Sequence, residues 1–301
     1  MNILLTGSSG FLGKIICDTL KTRFPSLQTL GRSIQDNIKF DFALDNPVTI
    51  TSSFDLIIHC AGKAHSVPKS ASDAEEFFKV NVDGTRLLLD GLSMAPQIPK
   101  FFIFISTVAV YGKEEGTLID ETSPLLAVDP YGLSKIQAEI LVQKWCDEHA
   151  VIYTILRLPL IAGPCPPGNL KSMIRGIEKG YYFNIDNGKA KKSIVLAEDV
   201  AIAILKVFTI GGIYNLTDRE HPSFYMLSSL IARQLGRSTP KKIPLWLAVV
   251  MAKAGDLFGQ KFPITSNKLK KITSDLTFDD TKAVETFSWN PGQVLNSFKI
   301  I

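Results

Sequence analysis

The first thirteen residues constrain the fold more than any other stretch. Asn2-Ile3-Leu4-Leu5 is a short apolar run that stops at Thr6-Gly7, and glycines then recur at Gly7, Gly10 and Gly13 before Lys14-Ile15-Ile16-Cys17-Asp18-Thr19-Leu20, whose apolar members share a helical face. A buried strand, a glycine turn and a helix in that order bring backbone N–H groups and a helix N-terminus to one point, where a pyrophosphate can be held. Gly7 allows the tight turn, Gly10 lets the backbone approach phosphates, and Gly13 lets the helix pack on the strand. The spacing is Gly-x-x-Gly-x-x-Gly rather than the commoner Gly-x-Gly-x-x-Gly.

The same alternation continues. Apolar runs at 27–30, 39–42, 54–60, 101–105 and 151–158 predict strands, and the spans 75–94 and 130–149 have helical periodicity. Ser193–Leu196 is apolar, Ala197-Glu198-Asp199 opens a helix, and Gly212–Leu216 reads as a last strand. Strands alternating with helices predict an α/β chain with a doubly wound parallel sheet and a smaller mixed lobe. The boundaries expected are 1–165 with 193–217 for the dinucleotide-binding domain, and 166–192 with 218–301 for a substrate-binding lobe.

Composition excludes several classes. The net charge of +4 over 301 residues is spread out, and the densest clusters, Lys189-Ala190-Lys191-Lys192 and Lys268-Leu269-Lys270-Lys271, carry no interleaved aromatics, so nucleic acid is not an expected partner. Cys17, Cys60, Cys146 and Cys165 lie far apart, which suggests neither a disulfide framework nor a metal site. The strand at the very start leaves no room for a signal peptide, and a reduced, cytoplasmic compartment is expected. Ile243–Gly259 is apolar but too short to span a bilayer, so it is expected to be a buried or docking helix or a peripheral membrane contact, without stable insertion.

Candidate site residues fall at strand ends. The second strand ends Gly31-Arg32-Ser33, where many dinucleotide folds place a carboxylate for the ribose 2′-OH; an arginine pairs instead with a 2′-phosphate, which favours NADP over NAD. Asp41 stands where an adenine amino group could be met. Cys60-Ala61-Gly62 are small enough to let a cofactor cross the strand end, and Lys63 and His65 follow, either facing phosphates or substrate or forming a polar loop surface. Asn81, inside a helix, is either exposed or holds a backbone group or water near a catalytic lysine. Ser106-Thr107 place hydroxyls at the carboxyl end of a central strand, where ligands bind in such sheets.

Tyr131 and Lys135 lie one turn apart on the helix that Pro130 opens. An ammonium close to a phenol lowers the phenol's pKa and lets it pass a proton near neutral pH, although such a pair also arises by chance on a surface helix. The order of the motifs decides between these. Thr6-Gly7-x-x-Gly10-x-x-Gly13, Ser106-Thr107 with Tyr111-Gly112, Tyr131-x-x-x-Lys135 and Arg157-x-Pro159 leading to Gly163-Pro164 together resemble the extended short-chain dehydrogenase/reductases, in particular the nucleotide-sugar epimerase/dehydratase family. The resemblance covers most of the chain and weakens after Thr217.

The resemblance implies roles. Tyr131 is the acid/base on a sugar hydroxyl or ketone, Lys135 binds the nicotinamide ribose and depresses the tyrosine pKa, and Thr107, beside Ser106, bonds the reacting oxygen. It extends the cofactor contacts to Ser9, Phe11 and Leu12 in the glycine loop, to Phe42 and Ile105, and to Leu158 with Pro159. Asn169 and Leu170 match a segment that lines the nucleotide-sugar pocket. Lys192 stands where the family has an arginine for the nucleotide diphosphate, keeping the charge and losing the bidentate fork.

One departure is informative. In 4,6-dehydratases the threonine precedes an Asp-Glu pair that performs elimination; here Val108 and Ala109 stand there, and neither moves a proton. Hydride chemistry at a sugar carbon remains, as a 4-epimerase or a 4-ketoreductase. Ala61-Gly62-Lys63-Ala64-His65 and the helix around Trp246 look most like the bacterial surface-polysaccharide branch, which implies a UDP-linked sugar. A homodimer through the helices at 75–94 and 133–149 is compatible with the family. The alternative class is a catalytically silent NADP-sensing regulator on the same fold.

Overall fold

The computed structural model describes residues 1–43, 46–64, 68, 70–258 and 265–300, with the side chain of Phe258 outside that set. His65 and Gly259 also lie outside the described residues.

The chain order sets the architecture. Strand β1 (Ile3–Thr6) leads through the glycine turn into α1 (Phe11–Lys21), then β2 (Gln28–Gly31), β3 (Ile38–Lys39) and β4 (Leu56–His59). Helices α2 (Ala71–Phe78) and α3 (Gly84–Ser93) follow, joined by one π-helical turn over Lys79–Asp83. Then come β5 (Phe101–Thr107), the short β6 (Gly116–Ile119), the long α4 (Pro130–Glu148), β7 (Ile152–Leu158) and β8 (Leu160–Ala162). The last third holds α5 (Gly168–Glu178), β9 (Asn184–Ile185), β10 (Ile194–Leu196), α6 (Ala197–Val207), β11 (Gly212–Asn215), α7 (Phe224–Gln234), β12 (Lys242–Ile243), α8 (Leu245–Phe258), α9 (Ser266–Thr273), β13 (Leu276–Phe278), α10 (Thr281–Phe287) and α11 (Val294–Ser297).

Among the described residues, seven strands form one parallel sheet in the order β3-β2-β1-β4-β5-β7-β11. The central strands are continuous apolar runs because both faces are covered. Alternate residues feed two cores. Leu4, Ile57, Phe102, Phe104 and Ile155 pack under α3 and α4 with Leu88, Leu92, Ala138 and Val142. Ile3, Leu5, Ile58, Ile103 and Leu156 pack under α1, α6 and α10 with Ile16, Leu20, Val200, Ile204 and Phe287. The strand order reverses between β1 and β4, so the crevice at their carboxyl ends is where a ligand of such a sheet binds.

Among the described residues, three two-stranded pairs lie outside that sheet: β8 with β10, β9 with β12, and β6 with β13. The last ties the segment before α4 to the end of the chain. Two local expectations change. The strand expected over 39–42 shrinks to Ile38–Lys39, because Asp41 turns its Oδ1 to the Ala43 N–H at 3.0 Å. The single helix expected over 75–94 is two helices around the π turn, which buries Asn81.

Candidate active site

The glycine turn is tight in the way the spacing demands. Gly7 has φ +72°, and a Cβ there would lie 2.6 Å from Ala61 N. A Cβ on Gly13 would lie 2.0 Å from Gly7 O, so α1 can sit on the loop only without a side chain at that position. Gly10 is the N-cap of α1 and has no side chain to satisfy the first N–H groups of the helix. Those groups, with the positive end of the helix dipole, suit the pyrophosphate of a dinucleotide. Ser9 and Gly10 are exposed, and Phe11 is half-buried at the helix start.

Asn81 ties the next strand end to α4. Its Oδ1 accepts from Lys63 N at 2.7 Å, and its Nδ2 donates to Lys63 O at 3.1 Å and to Ser134 Oγ at 2.9 Å. Ser134 Oγ in turn donates to Tyr131 O at 2.8 Å. So the Cys60–Lys63 stretch is fixed to the first turn of the helix that carries Tyr131. Lys63 points its ammonium to Glu76, with the Phe77 ring 5.3 Å away.

His59, which no sequence signal singled out, locks the underside of this stretch. It is buried, with Nδ1 2.7 Å from Thr6 Oγ1 and Nε2 2.9 Å from Thr85 Oγ1. Thr6 Oγ1 accepts from Ala61 N at 3.1 Å, and Thr85 Oγ1 donates to Asn81 O at 2.6 Å. These directions assign the Nε2–H tautomer, with Thr6 donating to Nδ1. Burial pulls the His59 pKa down to about 3, and the nearby Lys135 charge adds to that, so the ring is neutral.

The central group forms at the end of β5 and the start of α4. Asp129 caps α4 by accepting from Gly132 N at 3.0 Å, and Pro130 occupies the first turn. Thr107 lies beside Tyr131, close enough for its hydroxyl to pull the phenol's pKa down. Thr107 Oγ1 also accepts from Ala109 N at 3.2 Å. Lys135 is buried; its Nζ donates to Ile105 O at 2.7 Å and sits 3.9 Å from the Phe104 ring centroid.

Protonation here departs from the expectation drawn from the Tyr-x-x-x-Lys pair. Burial pushes the Tyr131 phenol up to about 12, with the Thr107 hydrogen bond pulling the other way. Lys135 is not among the groups that lower it: its ammonium is turned to the Ile105 carbonyl. Burial pulls Lys135 down to about 8, against the attraction of Glu139. Burial also pushes the neighbouring Cys60 thiol up to about 12. The phenol is therefore held protonated, ready to give a proton, beside an amine that titrates close to neutral pH.

Ser106 faces elsewhere. Its hydroxyl donates to Glu139 Oε1, within a wholly buried network. Arg157, opposite Ser106 in the β5–β7 register, grips Glu139 through Nε at 3.2 Å and Nη2 at 2.7 Å. Its Nη1 donates to Tyr111 Oη at 3.1 Å, and Tyr111 donates to Asn215 Oδ1 at 2.8 Å. Asn215 Nδ2 donates to Ile119 O and Asp279 O, both at 3.1 Å. Glu139 is the residue sequence reasoning missed most plainly, for it lies one turn beyond Lys135 on the same helix face.

Other candidates separate from this group. Leu12, Phe42, Leu158 and Leu170 are buried core side chains, and Phe42 packs against the backbone of Gly84, where a Cβ would lie 2.8 Å from it. Pro159 is half-buried beside Leu158. Asn169 is exposed in the first turn of α5. Lys192 lies 6.0 Å from the Phe224 ring centroid, its pKa lowered by burial. Neither shares a hydrogen bond with Thr107, Tyr131 or Lys135 among the described residues. Beyond β2, the Arg32 side chain is 75 % exposed and 3.9 Å from Asp41. A second unforeseen acid is close by: buried Asp36 accepts from Ser8 Oγ at 2.5 Å and from Ser33 N at 2.9 Å, directly under Gly31.

Comparison with known proteins identifies the family and the fold. Residues 3–216 match the description "NAD dependent epimerase/dehydratase family". An N-acetyl-alpha-D-glucosaminyl-diphospho-ditrans,octacis-undecaprenol 4-epimerase of Escherichia coli O157:H7 is 27 % identical, over 93 % of this chain and 88 % of its own. A UDP-glucose 4-epimerase of Vibrio cholerae is also 27 % identical, over 98 % and 92 %. The crystal structure of a Thermus thermophilus UDP-glucose 4-epimerase complexed with NAD superposes with a TM-score of 0.72, at 21 % identity, covering 97 % of this chain and 94 % of that one.

Proposed function

The chain belongs to the NAD dependent epimerase/dehydratase family, and from that premise we propose that it transfers a hydride at a sugar carbon, C4, of a UDP-linked sugar used in surface-polysaccharide synthesis. The observation that carries the reading is the Thr107–Tyr131 hydroxyl pair, with Lys135 one turn on, at the carboxyl end of the central strands beside the glycine loop. The two relatives whose names specify 4-epimerases support the choice of C4.

A bound nicotinamide group supplies or accepts the hydride. The rest is work for this chain's own side chains. Tyr131 gives its phenolic proton to the oxygen of a C4 ketone as the carbon is reduced; in the oxidising direction the phenolate left by that step takes the proton of the C4 hydroxyl back. Thr107 holds the same oxygen and the phenol together. Lys135, with its lowered pKa, keeps a titrating amine close to neutral pH one turn from the phenol. Asn81 and His59 keep the loop over which the cofactor lies in one shape. The segment 166–192 with 218–301 supplies the sugar-nucleotide pocket, with Asn169 and Lys192 as its polar members.

Arg32, exposed beyond β2, supports NADP over NAD, because a guanidinium clasps a 2′-phosphate. Asp36 does not oppose this, since Ser8 and Ser33 hold both its oxygens. Val108 and Ala109 support epimerisation or ketone reduction over 4,6-dehydration, for neither carries a proton-transferring group. The exposed Met94 and Ile140, just past α3 and on α4, are compatible with a homodimer through these helices.

The test is hydride transfer over a panel of UDP-sugars and 4-keto UDP-sugars with each nicotinamide cofactor. Wild type turns over at least one of them and Tyr131→Phe does not. If both are inert across the panel while cofactor binds, the reading fails.

A further inference from the structure

Helix α8 is built inside out. Its inward line is Ala248, Ala252 and Gly255, all buried and all small, and the two alanines cluster with Leu269 of α9 and Ile243 of β12. Its outward ridge is Trp246, Val250, Lys253 and Leu257, with Trp246 67 %, Val250 59 % and Leu257 86 % exposed. Leu245, Leu247, Val249 and Met251, spread around the rest of the helix, are exposed to a lesser degree. A surface helix of a soluble protein puts its large apolar residues inward. Here the arrangement is reversed, so the core formed by the described residues does not account for the sequence of α8.

The charges around the ridge indicate what covers it. Lys241 and Lys242 are exposed just before the helix, and Lys253 stands within the ridge. Lys242 also lies 4.8 Å from the ring centroid of exposed Tyr225. The one carboxylate on α8, Asp256, is taken by the N–H and hydroxyl of Ser266. A second copy of the chain docked on this ridge would set lysines against lysines. An anionic lipid surface accepts the same set: the apolar ridge enters the interface, Trp246 sits at headgroup level, and the lysine stems extend to phosphates. No described helix is long and apolar enough to cross a membrane, and α8 has 14 residues, so it lies on the surface.

We propose that α8 is a peripheral docking helix for an anionic membrane surface, held by Trp246, Val250 and Leu257 and by Lys241, Lys242 and Lys253. This goes beyond the proposed reaction and does not rest on it, since lipid binding is read without turnover. The full chain is floated with vesicles of equimolar phosphatidylethanolamine and phosphatidylglycerol, and with phosphatidylcholine alone. Wild type floats with the anionic vesicles and not with the neutral ones. Loss of each lysine weakens binding about fivefold. Trp246→Ser with Leu257→Ser abolishes flotation and leaves thermal unfolding and nicotinamide-cofactor affinity unchanged, because neither side chain packs inward. Wild type that stays behind with both vesicle types overturns the proposal. So does flotation that neither the serine pair nor the triple Lys241→Glu, Lys242→Glu, Lys253→Glu change alters. A lipid-free dimer that the serine pair dissociates gives the ridge to a second copy and overturns it too.

Discussion

Two turns of the same helix treat buried charge in opposite ways. At Glu139 the carboxylate meets Ser106 and the Nε and Nη2 of Arg157, and the Nη1 of Arg157 meets Tyr111. Burial works against the Arg157 charge, but Glu139 outweighs it and the arginine pKa ends up raised. One turn earlier, Lys135 has a carbonyl and an aromatic face, and Tyr131 has a threonine. Burial wins there, and each group moves toward its neutral form. The first arrangement holds β5, β7, β11 and the β6 region together. The second keeps ionisable groups that charge only at a cost, which is the condition for passing protons. The difference teaches that compensation, not burial itself, separates the structural part of α4 from the reactive part.

The comparison breaks most visibly at its two ends. Tyr131→Phe should lower turnover about 10²–10⁴-fold, the ordinary worth of an acid/base group, with little change in thermal unfolding. Glu139→Ala should do the reverse in kind: it strands Arg157 in the interior and costs about 3–5 kcal/mol of stability, read from urea unfolding. A Tyr131→Phe variant as unstable as Glu139→Ala would erase the distinction.

His59 sharpens it, because it is fully bonded and uncharged. Its folded pKa of about 3 lies below the ordinary value of 6.5, so the unfolded chain binds the extra proton. The stability it contributes is present above pH 6.5 and is lost as pH falls from there toward 3, by roughly 4 kcal/mol over the window. Denaturant titrations at stepped pH should show that slope, and His59→Gln should flatten it. The smallest effect belongs to an exposed charge. Arg32→Ala should shrink the preference for NADPH over NADH by about fivefold, near 1 kcal/mol, in paired binding titrations. Equal affinities in wild type would remove the case for NADP.

The sheet was legible because its strands are apolar runs and the turns between them are marked by glycine, serine and proline. The placing of Tyr131 and Lys135 on one helix face was legible for a related reason: i, i+4 spacing sets side chains on one face with no tertiary information, whereas the role of Thr107 came from the family resemblance and not from spacing. Side-chain direction was not. Leu12, Phe42, Leu158 and Leu170 stand at expected positions along the chain and point into the core. Ser106 lies one residue from Thr107 and serves another network. His59 ends a run of isoleucines, and only the meeting of β1 with α3 gives its ring two hydroxyls. Asp36 lies past the end of β2, and a loop had to fold back under Gly31 before its carboxylate reached Ser8. The raised phenol pKa was missed because spacing reports proximity, while the depth of burial decides the sign.

The placement of Ser106 and Thr107 on β5 has a consequence for how this chain can vary. Neighbouring hydroxyls are committed to separate duties, one to the Glu139 cluster and one to Tyr131. Because alternate residues of a strand point opposite ways, sliding β5 by one position exchanges both assignments together. An insertion or deletion within Phe101–Ile105 would therefore disable the reacting pair and unseat Arg157 in one event, while lengthening the turn at Gly112–Glu115 would touch neither.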